Sequence, residues 1–265
     1  MRTCSIAALC LFLASTALAD WRAVAPGVDH RNIVRGEIDV HVARIDLVHP
    51  DTRVIATSAS ERGLTVSDFA AKTQATVAVN GDYFDEELWP IGKSAGACGL
   101  WWKGKTIPRN QGLVTVGAGR AEIQTNTQKS RSWARGAVSG WPLIVAGCAP
   151  VAGLPGSDFF TRAPHPRTAV ALSADGKTLF LVVADGRRPG VPGMTLPELA
   201  EFLVTELGAC RAMNLDGGGS SAMWVGDRIV NRPSDGTERR VGNHLAVVRA
   251  DDYSGCRKHT RKTKR

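Results

Sequence analysis

Eight consecutive residues, Asn214-Leu215-Asp216-Gly217-Gly218-Gly219-Ser220-Ser221, bring together a carboxylate, three glycines and two hydroxyls. A triple glycine disfavours regular structure, because glycine has the most backbone freedom to lose on folding. It suits a place where several peptide N–H groups turn toward one point, or where a ligand touches backbone. An anion or a sugar-phosphate meets both conditions. Asp216 therefore reads as a catalytic or sugar-binding acid beside a cradle of Gly217, Gly218, Gly219, Ser220 and Ser221, with Asn214 on the strand leading in. Asp185-Gly186-Arg187 leaves a second apolar strand and supplies another acid and a guanidinium fork suited to phosphate. Asn80-Gly81-Asp82-Tyr83-Phe84 ends a third strand with an amide, an acid and two aromatics, groups that commonly line sugar sites. Arg167 follows Pro164-His165-Pro166 and offers a further cation. Each group also has an ordinary reading as a turn, a solvated loop or a core pair. A plain turn rarely needs three glycines, which singles out Asp216.

Other chemistries lack their residues. The six histidines are scattered without ligand spacing, and there is no Cys-x-x-Cys, so a zinc site is not expected. Gly-x-Ser-x-Gly and the phosphate-loop lysine motif are both absent. No cofactor is expected; an oxygen-only calcium site is open but not predicted. The formal charge is +8, and Arg257, Lys258, Arg261, Lys262, Lys264 and Arg265 put part of it in the last nine residues. That run reads as a solvated tail over 253–265. Basic residues are not interleaved with aromatics, so no nucleic-acid partner is expected.

Residues 1–19 read as a secretory signal peptide: Arg2, an apolar run over Ile6–Leu13, and Ala17-Leu18-Ala19 before Asp20. No stretch is long enough to span a bilayer. The expected location is periplasmic or secreted. Four cysteines follow the cut, Cys98, Cys148, Cys210 and Cys256, and favour two disulfides in any of three pairings.

The elements that must position these groups are mostly strands. Gly36–Val48 alternates apolar and polar residues with one phase slip, which predicts a long bulged strand, and Arg53–Thr57 is expected to pair with it across His49-Pro50-Asp51. Thr168–Leu172 and Thr178–Ala184 flank Asp175-Gly176 as a hairpin. Thr195 and Glu198 form a capping box for a helix with Leu196, Leu199, Ala200, Leu203, Val204 and Leu207 on one face, stopped by Gly208. A strand over Arg211–Leu215 follows. If the strands on either side of this helix are parallel, Asp185 and Asp216 lie at one sheet edge, where open sheets usually bind ligands. The expectation is a single α+β domain over 20–252, with largely antiparallel mixed sheets, few helices and this one strand-helix-strand unit before the glycine loop.

These motifs, in order, resemble the phosphodiester glycosidase family, whose members include N-acetylglucosamine-1-phosphodiester α-N-acetylglucosaminidase and many exported bacterial proteins. The resemblance rests on Val79–Phe84, Val138–Leu143, Pro166–Val170, Val183–Arg187, Gly193–Ala200, Asn214–Ser221 and the late Asn231–Asp235 and Glu238-Arg239. Members often carry a second glycine where this chain has Asp82 and Trp141. The resemblance implies hydrolysis of a sugar-1-phosphodiester at the sugar–oxygen bond. Asp216, Asp185 or Asp82 would act as base or nucleophile. The glycine loop, Arg187 and Arg167 would hold phosphate, while Asn80, Asp82 and Asn214 would hold sugar hydroxyls. Two other readings of the same residues are a glycosidase acting on an uncharged envelope glycan and a non-catalytic protein that binds anionic glycans.

Overall fold

The computed structural model describes residues 20–103, 111–125 and 131–251. The expected signal peptide and basic tail lie outside them. The first sheet has eight strands in the order β1 (Arg22–Ala25), β2 (Val28–Arg35), β3 (Ile38–Asp46), β14 (Thr178–Ala184), β13 (Arg167–Ser173), β15 (Ala209–Asn214), β11 (Leu143–Ala146), β12 (Ala149–Pro150). The second runs β7 (Gly99–Trp101), β6 (Ser94–Gly96), β10 (Gly136–Gly140), β8 (Gly112–Gly117), β9 (Arg120–Thr125). The third runs β17 (Arg228–Ile229), β16 (Met223–Val225), β5 (Val77–Asn80), β18 (His244–Arg249), β4 (Thr52–Ala56). Three short α-helices complete the described fold: α1 (Val66–Thr73), α2 (Asp158–Thr161) and α3 (Leu196–Leu207). It is one α+β domain.

The layers follow from which residues are apolar on which face. One face of the first sheet packs on α3 through Val40, Val42, Ala169, Val182, Leu199 and Leu203. Its other face meets the second and third sheets through Ile45, Val170, Leu181, Met213, Val79, Val114 and Val138. The outer face of the third sheet is covered by α1, with Phe69 wholly buried. Truncating a residue such as Leu203 to alanine should cost about 2–5 kcal/mol.

The phase slip in Gly36–Val48 is no bulge. β3 keeps unbroken register with both β2 and β14. Ile38, Val40 and Val42 pack toward α3, while Ala43, Ile45 and Leu47 pack into the central core. A strand buried on both faces carries apolar residues at both parities, so the pattern changes phase without an extra residue. Arg53–Thr57 does not pair with this strand either: β4 pairs with β18 in the third sheet.

The strand-helix-strand unit is β14–α3–β15. Thr195 caps α3 by accepting from the Glu198 N–H, and Glu198 accepts from the Thr195 N–H. Gly208 closes it with a left-handed φ of 64°. β14 and β15 run parallel, but β13 lies between them and is antiparallel to both. The C-terminal ends of β14 and β15 and the start of β13 therefore share one edge. The Cys148–Cys210 disulfide fastens the start of β15. Constraining a loop of this length is worth about 4 kcal/mol in the chain-entropy view. Cys98 is also disulfide-bonded, and Cys256 lies outside the described residues.

Candidate active site

The shared edge opens on a crevice of about 240 Å³ lined by Tyr83, Phe159, Phe160, His165, Pro166, Arg167, Arg187, Asp216, Gly217, Gly218, Gly219 and Arg239. Asp216 is delivered by β15 and locked at its backbone. Its N–H donates to Gly81 O at 2.9 Å, and its carbonyl accepts from Asn80 Nδ2 at 2.7 Å. Its carboxylate accepts from the Gly217 N–H at 2.9 Å. Burial pushes the Asp216 pKa up to about 6, against the pull of the Ser220 hydroxyl, the Gly217 N–H, Arg239 and Arg187. At neutral pH it is an anion with raised basicity.

Steric demands explain the three glycines. A Cβ on Gly217 would sit 2.7 Å from Pro166 O, and one on Gly218 would sit 2.9 Å from the Arg187 guanidinium. Gly218 also has a φ of +59°, a left-handed conformation that side chains disfavour. A Cβ on Gly219 would strike the Asp235 carboxylate and the Arg239 guanidinium. The amides are mostly spent inside the protein. Gly218 N–H donates to Pro166 O, Ser220 N–H to Gly217 O and Ser221 N–H to Gly218 O. The run lets arginines come close, and the anion-binding capacity of the crevice lies chiefly in those arginines.

The arginines differ. Arg167 is buried, with Nε donating to Met194 O and Nη2 to Phe160 O and Ala163 O. Burial lowers its pKa to about 10, so it stays charged at neutral pH. Arg239 is held by Asp235, with Nε donating to Oδ2 at 3.1 Å. Arg187 is exposed and adopts a left-handed φ of +57°.

Asn80 and Asn214 are buried and turned inward. Asn80 Oδ1 accepts from Thr168 Oγ1 at 2.8 Å. Asn214 Nδ2 donates to Tyr83 Oη at 2.7 Å and to Trp141 O at 2.9 Å. Both amides hold the crevice walls together. Ser221 is buried, its hydroxyl 3.2 Å from Thr168 Oγ1, whose single hydrogen goes to Asn80. Asp82 lies behind Tyr83, outside the crevice lining, with Oδ2 accepting from the Gly92 N–H at 2.8 Å. Complete burial raises its pKa to about 7.

Asp185 shares the edge but not the crevice. Its Oδ1 accepts from Asn231 Nδ2 at 3.0 Å, and both its oxygens accept from the Arg232 N–H. Arg188 pairs with both Asp185 and Asp39. Asp39, His41 and Asp185 each offer one potential ligand atom within 4.8 Å of the others. The Arg188 guanidinium already serves as the cation for both carboxylates. Arg239, His165, Tyr83, Phe159 and Phe160 join the site beyond the residues that spacing singled out. Tyr83 lies inside the Asn80–Phe84 motif and Arg239 inside the late Glu238-Arg239 block of the resemblance, where neither is assigned a role.

The profile of the phosphodiester glycosidase family matches residues 73–248, well over half of the chain. The chain belongs to that family. The glycosidase fold is shared with the catalytic domain of zebrafish N-acetylglucosamine-1-phosphodiester α-N-acetylglucosaminidase, solved in a form auto-inhibited by its pro-peptide. The match has a TM-score of 0.69 at 18% identity and covers 87% of this chain and 86% of that one. A hypothetical protein from Synechocystis matches with a TM-score of 0.56 at 19% identity, covering 83% and 61% of the two chains. In sequence, the SPbeta prophage-derived uncharacterized protein YomE of Bacillus subtilis (strain 168) is 38% identical over 93 residues. That span is 35% of this glycosidase-family chain but 14% of YomE. Every block of the sequence resemblance, from Val79 to Arg239, falls inside the matched residues.

Proposed function

We propose that this protein is an exported hydrolase that cleaves the sugar–oxygen bond of a sugar-1-phosphodiester, releasing free sugar and a phosphomonoester. The observation that carries this reading is the Asp216 carboxylate in a small crevice with Arg167, Arg187 and Arg239. A departing phosphate monoester is already a good leaving group. It needs stabilisation of negative charge more than a proton, and the arginines lining the crevice supply that. One carboxylate near the anomeric carbon then suffices, as nucleophile or as base toward water. With a pKa of about 6, Asp216 is ionised at neutral pH and suited to either role. Among the described residues lining the crevice, it is the only carboxylate. The expected leader and the Cys148–Cys210 disulfide support an extracytoplasmic setting.

The test is turnover on a panel of sugar-1-phosphodiesters, scored for both free sugar and phosphomonoester, beside aryl glycosides of the same sugars. The proposal expects phosphodiesters to be hydrolysed and neutral glycosides to react far more slowly. Hydrolysis of neutral glycosides alone would replace it with an uncharged-glycan glycosidase.

A further inference from the structure

His165 is a nearly buried histidine that the mechanism above leaves unused. Its backbone is clamped to Met194, N–H to carbonyl in both directions, at 3.2 and 3.0 Å. Its Nε2 lies 2.8 Å from Phe159 O. A carbonyl only accepts, so Nε2 carries the hydrogen. In the neutral ring Nδ1 is then an acceptor, and it lies 3.4 Å from Arg187 Nη2. Burial, reinforced by Arg167 and Arg187, lowers the His165 pKa, which keeps the ring neutral. Among the described residues this is the one hydrogen bond made by the Arg187 guanidinium. Arg187 otherwise stands exposed on a left-handed backbone, with its N–H donated to Pro192 O at 3.0 Å and its guanidinium over Gly218.

We infer that His165 is a positioning residue: through Nδ1 it holds the Arg187 guanidinium over the glycine loop, aimed at an anionic group of the ligand. An exposed arginine left to itself samples many rotamers, and fixing it costs side-chain entropy. The histidine meets part of that cost before the ligand arrives. In the proposed reaction the anionic group is the leaving phosphate, so the inference rests on that reading for its catalytic meaning, though not for anion binding itself.

Two substitutions separate the ring's two bonds. Asparagine in His165→Asn places an amide oxygen where Nδ1 was, preserving an acceptor for Arg187 and losing the bond to Phe159 O. Glutamine in His165→Gln places an amide nitrogen near the Nε2 position, preserving the bond to Phe159 O and losing the acceptor. Inorganic phosphate binding, measured by calorimetry, is the readout that does not need turnover. Positioning through Nδ1 expects His165→Asn to bind within about threefold of wild type. It expects His165→Gln to lose about 10- to 100-fold, the same factor as Arg187→Ala. The reverse order, or no effect of either variant, would overturn it; so would a wild-type protein that does not bind phosphate. Nitrogen NMR of the histidines in folded wild-type protein checks the geometry without any variant. Hydrogen on Nε2 of His165 supports the clamp, and hydrogen on Nδ1 overturns it. If wild type binds phosphate and shows this split but turns over no phosphodiester, the clamp stands and the proposed function falls.

Discussion

Two parallel strands with β13 between them lead into similar turns, β14 into Asp185-Gly186 and β15 into Asp216-Gly217, at the same edge of the same sheet. Their surroundings make them different groups. Asp185 is saturated by Asn231, the Arg232 N–H and Arg188. Asp216 takes one backbone N–H and faces an open crevice with arginines around it. Adjacent arginines divide in the same way: Arg188 turns in to neutralise Asp185 and Asp39, whereas Arg187, on its left-handed backbone, turns out over Gly218. A carboxylate whose lone pairs are all used can anchor structure. One locked at its backbone, with its head lining the crevice and only partly engaged, can do chemistry.

The comparison breaks most visibly in turnover. Asp216→Asn should lower kcat by about 10²- to 10⁴-fold with the melting temperature unreduced, while Asp185→Asn should leave kcat within about threefold. Equal losses from the two would erase the distinction. Arg187→Ala should cost about 10²-fold on an anionic leaving group and little on a neutral one, read from kcat/KM on matched phosphodiester and aryl glycosides. Stability should run the other way. Burial raises the Asp185 pKa, so losing its charge is not what costs; Asp185→Asn instead turns an amide N–H donor against donors from Asn231, Arg232 or Arg188, and should cost about 1–3 kcal/mol in urea unfolding.

The smallest effect concerns pH. Asp216 has its folded pKa raised to about 6 from a carboxylate's ordinary value. A raised pKa means the fold prefers the protonated acid. Its contribution is fully present below about pH 4 and is lost as pH rises through about 6. Asp216→Asn should therefore match wild type in stability near pH 4 and exceed it above pH 7, by about 1–2 kcal/mol once solvent screening in the open crevice is allowed for. Asp82 has the same sign at higher pH, so the difference between variant and wild type is the quantity to measure. Activity needs the ionised form, so kcat/KM should rise through about pH 6 while stability falls.

What sequence could and could not disclose follows the range of each interaction. The Thr195–Glu198 capping box, the Asp175-Gly176 hairpin and the shared edge of β14 and β15 depend on near neighbours or on chain connectivity, and they were legible. The glycine loop was legible as a special backbone, but its purpose was not. Its side chains are excluded by Pro166, Arg187, Asp235 and Arg239, which arrive from other segments. Asp185 ranks second to Asp216 in the sequence but still reads as a candidate acid, because Asn231 and Arg232, which saturate it, lie on a loop far along the chain. Asn80 and Asn214 read as sugar ligands in the sequence; that Thr168 donates to Asn80 Oδ1, and that Tyr83 and Trp141 accept from Asn214 Nδ2, depends on residues distant in the chain. β4 was assigned to the nearer strand for the same reason: its partner, β18, follows nearly two hundred residues later.

The most direct test of the central claim is hydrolysis of a sugar-1-phosphodiester in water enriched in heavy oxygen. Attack at the anomeric carbon in the Asp216 crevice should place the label in the released sugar and none in the phosphomonoester, with Asp216→Asn releasing almost neither product. Label in the phosphate, or undiminished turnover in Asp216→Asn, would contradict it.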